Sequence, residues 1–73
     1  MRIGKAMRAM LSMTPEYGSE GTTIPRIAAK TYLRLHRNDW QYRPMYALEE
    51  AGLVVRVGRG PHGGQAWTKA FGK

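Results

Sequence analysis

The sequence predicts a small α+β domain: three helices followed by a two- or three-stranded β-hairpin. Three observations carry that prediction. Apolar side chains recur at helical spacing in the first two-thirds of the chain, the spacing switches to alternation at Leu53, and the segment 58–64 (GRGPHGG) is dense in glycine between two β-like runs. At 73 residues the chain has room for one core, so a single domain, 1–73, is expected. With no cysteine, it offers neither a disulfide framework nor a thiolate metal site, and an intracellular, cytoplasmic setting is the natural expectation. Its apolar runs are too short to cross a membrane.

The first helix is expected over residues 1–13. Ile3, Ala6, Met7, Met10 and Leu11 fall on one side of it and Arg2, Lys5, Arg8 and Ser12 on the other. It should stop at Thr14, because a residue before proline is pushed out of the helical region. Residues 16–21 (EYGSEG) read as a loop, and residues 22–24 as a short strand in which a threonine caps the next helix, with Pro25 in its first turn. That second helix would turn Ile27, Ala28, Thr31 and Leu35 inward. Asn38 and Asp39 are N-cap candidates for a third helix that ends at Ala51, with Gly52 in the left-handed position behind it. Its inward residues are Gln41, Met45, Leu48 and Ala51. Pro44 is a difficulty, since proline in a helix interior costs about 3 kcal/mol; the helix should be kinked there or start late, near Arg43. From Leu53 the pattern has period two, with Leu53, Val55 and Val57 on one face and Val54 and Arg56 on the other, and residues 65–69 supply the return strand.

Gly58-x-Gly60-x-x-Gly63 has the spacing of a dinucleotide-binding loop. Such a loop must open a helix and be followed by a second parallel strand about 30 residues on. Only ten residues follow Gly63 in the 73-residue chain, so a hairpin tip is the better reading and no cofactor is expected.

This order of elements resembles the winged-helix family, a three-helix relative of the helix-turn-helix with a β-hairpin wing. The resemblance rests on Ile24-Pro25-x-Ile27-Ala28-Ala29, on the phrase LEEAGLV from Leu48 to Val54, and on a basic wing with Arg59 at its tip. It implies a helix-turn-helix region over 22–52 and a wing over 53–69, with the third helix in the DNA major groove and the wing on adjacent phosphate or minor groove.

Twelve Lys and Arg against five Asp and Glu give a net charge of +7, a field that attracts nucleic acid or an acidic protein surface. For duplex DNA, Arg26, Lys30 and Arg37 are the expected phosphate contacts, Gln41, Tyr42 and Arg43 the base-approaching set, and Arg56, Arg59 and Lys69 the wing contacts, with His62 near them. For a protein partner, the basic edge of Arg2, Lys5 and Arg8 and the aromatic face of Trp40, Tyr42, Arg43 and Tyr46 are the candidates. The outward face of the third helix, which also carries Asp39, Glu49 and Glu50, has the tyrosine and arginine content of a protein hot spot. The same tyrosines could instead lie half-buried against the wing. The methionines at 1, 7, 10 and 13 suit either gap-filling in a small core or an adaptable surface, with gap-filling the simpler role. His36 and His62 are isolated, so no metal is expected, and neither paired carboxylates nor a nucleophile elbow suggests an enzyme.

In length, basicity and lack of cysteine the chain also resembles the small phage-encoded proteins that bind host bacterial RNA polymerase, shut off initiation and suppress termination. That resemblance implies polymerase as the partner, transcription regulation with antitermination as the activity, and the host bacterial cytoplasm as the setting. A DNA-binding repressor, activator or architectural factor is the alternative.

Overall fold

The computed structural model describes residues 3–35, 38–59 and 64–71. Helix α1 spans Lys5–Met13, α2 spans Ile24–Ala28, a 3-10 turn covers Tyr32–Leu35, and α3 spans Asn38–Glu50; strands β1 (Val54–Arg59) and β2 (Gln65–Lys69) follow. The chain is thus a small α+β domain of three α-helices and a two-stranded antiparallel hairpin. A single bridge between Thr22 and Trp67, closed by both backbone hydrogen bonds (2.9 and 3.2 Å), adds the loop before α2 to the other edge of β2. The hairpin expected from sequence therefore has two strands, with one bridging residue beside them.

Each helix contributes to one core. Met10 of α1, Ile24, Ile27 and Ala28 of α2, Leu33 of the 3-10 turn and Met45 and Leu48 of α3 meet Val54 of β1 and Trp67 of β2, with Ala6, Met7, Leu11, Tyr42 and Leu53 packed around them. Helix α1 begins at Lys5 with Gly4 as its N-cap, later than expected, and Met13 is exposed, so only Met7 and Met10 of the described methionines in this segment fill the core. Its end is as expected: Thr14 is extended (φ −72°, ψ 135°) ahead of Pro15.

The second helix departs from expectation. It has only five residues, because from Lys30 the backbone bonds tighten to three-residue spacing: Lys30 N–H to the Ile27 carbonyl and Thr31 N–H to the Ala28 carbonyl. The Thr31 hydroxyl drives this locally, donating to the Ala28 carbonyl (2.8 Å) and accepting from Leu33 N–H (3.0 Å), a side-chain alternative to the helical ladder. The change of twist buries Leu33 and turns the expected core residue Leu35 out, 81% exposed. Thr23 sits at the N-cap position with extended backbone, but its side chain makes no capping bond.

Helix α3 starts at Asn38 and continues through Pro44, so it is not shortened to Arg43. Pro44 is buried, and its ring adds to the packed side of the helix where its missing N–H would otherwise count only as a loss. The side chains of the expected caps, Asn38 and Asp39, lie outside the described residues. At its far end Gly52 (φ +80°) donates to the Glu49 carbonyl and Leu53 to the Leu48 carbonyl, the paired bonds of a Schellman stop. The phrase LEEAGLV is therefore a helix stop that delivers Val54 to the core.

In β1 the alternation lasts only to Arg56. The register runs Val54↔Lys69, Val55↔Thr68 and Arg56↔Trp67, then skips to Gly58↔Ala66, leaving Val57 in a bulge. Val57 is 42% exposed as a result. Gly21 passes so close to this bulge that a Cβ there would lie 2.8 Å from Val57 Cγ2 and 2.9 Å from the Trp67 carbonyl. Ala66, Trp67 and Thr68 are buried in succession, with no alternation, because the bridging loop covers the strand from its outer side.

Candidate docking and nucleic-acid interface

Two clusters of chemistry-bearing side chains emerge from this fold. The first joins α3 to the hairpin. The helix stop at Gly52 turns the chain back so that Arg56 lies beside Glu49, in the last turn of α3; its Nε donates to Glu49 Oε2 (2.9 Å) and its second terminal nitrogen to Oε1 (3.2 Å). The guanidinium also lies over the rings of Trp67 (5.0 Å) and Tyr46 (5.8 Å). Tyr46 in turn meets Trp67 and, edge-on, Tyr42, each at 6.1 Å between ring centres. Glu49 holds the Arg56 pKa above the ordinary arginine range through these hydrogen bonds, against a smaller opposing effect of partial burial. A cleft of about 260 Å³, bordered by Tyr42, Tyr46, Arg56, Trp67 and Pro25, opens between α2, α3 and the hairpin.

The second cluster lies where α1 meets the end of β2. Arg8, Leu11 and Ser12, one helical turn apart on α1, face Leu53, Lys69 and Phe71 across a cleft of about 380 Å³. Lys69 N–H donates to the Pro15 carbonyl (2.8 Å) and Ala70 N–H to the Leu53 carbonyl (3.0 Å), which fixes both walls. Phe71, just past these bonds, is 59% exposed.

The residues expected to touch DNA are dispersed. Arg26 and Lys30 are exposed on and after α2, Arg43 on α3 and Arg59 at the outer end of β1. Arg56 is engaged by Glu49, and Lys69, the last residue of β2, also lines the α1 cleft. Gln41 requires correction as a base-approaching residue: it is buried, and its Nε2 donates to the Leu33 carbonyl (3.3 Å), tying α3 to the 3-10 turn. Tyr42 is half-buried against the core. Of the protein-facing set, Trp40 is 59% and Tyr46 47% exposed, while Lys5 has its ammonium 4.9 Å above the Tyr32 ring. Arg2, His36, Arg37 and His62 lie outside the described residues, as do Gly60, Pro61 and Gly63 of the hairpin tip.

Sequence reasoning missed the α1 cleft. Leu11 and Leu53 carry apolar signals that also suit a core, and nothing short of the folded chain brings them beside Phe71. The Trp67 ring also serves as the platform for Arg56. Compared with protein-family models, curated proteins and solved structures, the chain has no match. Among the described residues no helix is long and apolar enough to cross a membrane.

Proposed function

We propose that this chain is a non-enzymatic transcription regulator on a winged-helix-like scaffold, and that its main contact is with protein, namely bacterial RNA polymerase, in the manner of a phage-encoded regulator of initiation and termination. The scaffold reading draws support from the order of α1, the Thr22 bridge, α2, α3 and the hairpin. The single observation that carries the choice of partner is the outward side of α3. Reading bases in a groove calls for free amide or guanidinium forks on that side. Gln41 is turned into the core, Tyr42 is half-buried, and Glu49 is closed on Arg56, which leaves Arg43 beside exposed Trp40, Tyr46 and Glu50. Aromatic rings with one arginine make a protein-binding patch rather than a phosphate-lined one.

The test pairs two measurements on the intact protein. Tagged protein should retain purified bacterial RNA polymerase, Trp40→Ala should weaken that capture at least about tenfold as a hot-spot truncation does, and added protein should reduce promoter-dependent transcription. Duplex DNA should bind weakly and without sequence preference, its affinity falling steeply with salt. Tight, sequence-selective DNA binding with no polymerase capture would sink this reading.

The DNA-binding alternative draws on exposed Arg26, Lys30, Arg43 and Arg59 and on the net charge of +7. It requires that Arg59→Glu weaken the DNA complex strongly; bent DNA in the complex would point to an architectural factor.

A further inference from the structure

We propose that the cleft between α1 and the C-terminal end of β2 binds an acidic peptide segment of a partner protein. One apolar side chain of that segment seats between Leu11, Leu53 and Phe71, and its neighbouring carboxylates meet Arg8 and Lys69. The surface is distinct from the outward side of α3, and the inference rests on the preceding reading only in taking the partner to be a protein.

The cleft combines two features that belong to different ligands when they occur apart. Its walls are mostly apolar, with about 380 Å³ between them, room for a large aliphatic or aromatic side chain. Phe71, at 59% exposure, is an aromatic ring left beside that space rather than folded into the core. A phosphodiester backbone has nothing to place against Leu11, Leu53 and Phe71, whereas a peptide side chain does. The two charged residues of the lining, Arg8 and Lys69, are both cations, and among the described residues neither has a carboxylate within salt-bridge distance. The contrast with Arg56, which Glu49 neutralises, shows that such pairing is available in this molecule where the chain provides a partner. The occupant that complements the lining is therefore both apolar and negatively charged. Ser12 adds no donor to it, because its hydroxyl proton is directed to the Ala9 carbonyl (2.8 Å). The walls are also preformed: backbone bonds from Lys69 to Pro15 and from Ala70 to Leu53 hold the tail in place, so little ordering is required of the protein on binding.

The experiment is a titration of the isotopically labelled full chain, followed by amide and methyl chemical shifts, with a short end-blocked peptide carrying a central leucine between glutamates. Three probes accompany it: the same peptide with lysines for glutamates, the same with serine for leucine, and a short single-stranded oligothymidylate. The glutamate–leucine peptide should shift Arg8, Leu11, Leu53, Lys69 and Phe71 selectively. Lys69→Glu and Phe71→Ala should each weaken it by about tenfold or more, and both replaced side chains lie at the cleft surface, so an unchanged thermal midpoint confirms that the fold is intact. The lysine peptide should not bind there, and the serine peptide should bind markedly less tightly. Shifts spread evenly over Arg26, Lys30 and Arg43, equal binding of the serine peptide, no binding of the glutamate–leucine peptide, or oligothymidylate occupying the cleft in its place would each overturn the proposal. No polymerase enters this titration, so its failure and a failure of polymerase capture are read independently.

Discussion

On the α3 side of the hairpin, Arg56 is held by Glu49 and covers the rings of Tyr46 and Trp67; on the α1 side, Arg8 and Lys69 border an apolar cleft with no carboxylate at salt-bridge distance among the described residues. Both clusters hold arginine or lysine next to apolar surface, and both sit at the edges of the same two strands. What separates them is whether the fold itself supplies the counter-charge and the ring. Where it does, the cluster fastens the hairpin to α3. Where it does not, the same residue types are left for an external ligand. A net charge of +7 therefore overstates the cationic surface on one side and describes it fairly on the other.

Removing the shared anchor breaks the comparison outright. Trp67 is 1% exposed; it pairs with Arg56 and with Thr22 through its backbone, and its ring belongs both to the core and to the α3 cluster. Trp67→Ala should cost about 3–5 kcal/mol, comparable with everything a domain of this size has to lose. The variant should lack a cooperative urea transition at room temperature. A cooperative transition with the midpoint only slightly lowered would mean that the ring is peripheral and that the two clusters are not joined through it.

A smaller effect separates two glycines of equal backbone conformation. Gly21 and Gly52 both have φ +80°, but a Cβ on Gly52 meets nothing within 4 Å, whereas one on Gly21 meets the Val57 side chain and the Trp67 carbonyl. Gly52→Ala should cost about 1–2 kcal/mol, the price of a left-handed residue alone. Gly21→Ala should cost roughly 1–3 kcal/mol more, because the backbone oxygen cannot move without disturbing the bridge. Equal costs by denaturant titration would show that the loop yields freely and that the bridge is not what covers β2.

How much of this was legible beforehand follows from the range of the interactions. Helix α1, the end of α3 and the Gly52 stop depend on residues within one or two turns, and their period and punctuation are visible in the sequence. The second helix is shorter than its spacing predicts because the Thr31 hydroxyl competes with the helical ladder, an effect that spacing alone does not reveal and that exchanges Leu33 for Leu35 in the core. The alternation does not continue past Arg56, because the register shifts at Val57, where Gly21 from far along the chain passes close by. The candidate sites were legible as residue types and not as pairings. Glu49 and Arg56 are both visible as charges, yet only the turn at Gly52 brings them together, and Lys69 lies on the return strand as expected while only the fold shows that it shares a cleft with Arg8.

The finest test converts one side of the comparison into the other. Glu49→Gln keeps the shape of the side chain and removes its charge, so Arg56 loses its ionic partner while the rings of Tyr46 and Trp67 stay in place. Both side chains are substantially exposed, 50% for Arg56 and 35% for Glu49, so the change in thermal midpoint should be small and should shrink further at high salt. Nor should stability acquire a pH dependence near neutrality from Arg56. Its pKa is raised, so its contribution is complete below the ordinary arginine range and is lost only as pH rises through the higher folded value. The released guanidinium should appear instead in DNA binding: non-specific affinity should rise, and the salt slope should steepen by about one unit, as for one added phosphate contact. If the slope stays the same, the rings rather than Glu49 keep Arg56 from solution, and counter-charge is not what distinguishes the two sides of the hairpin.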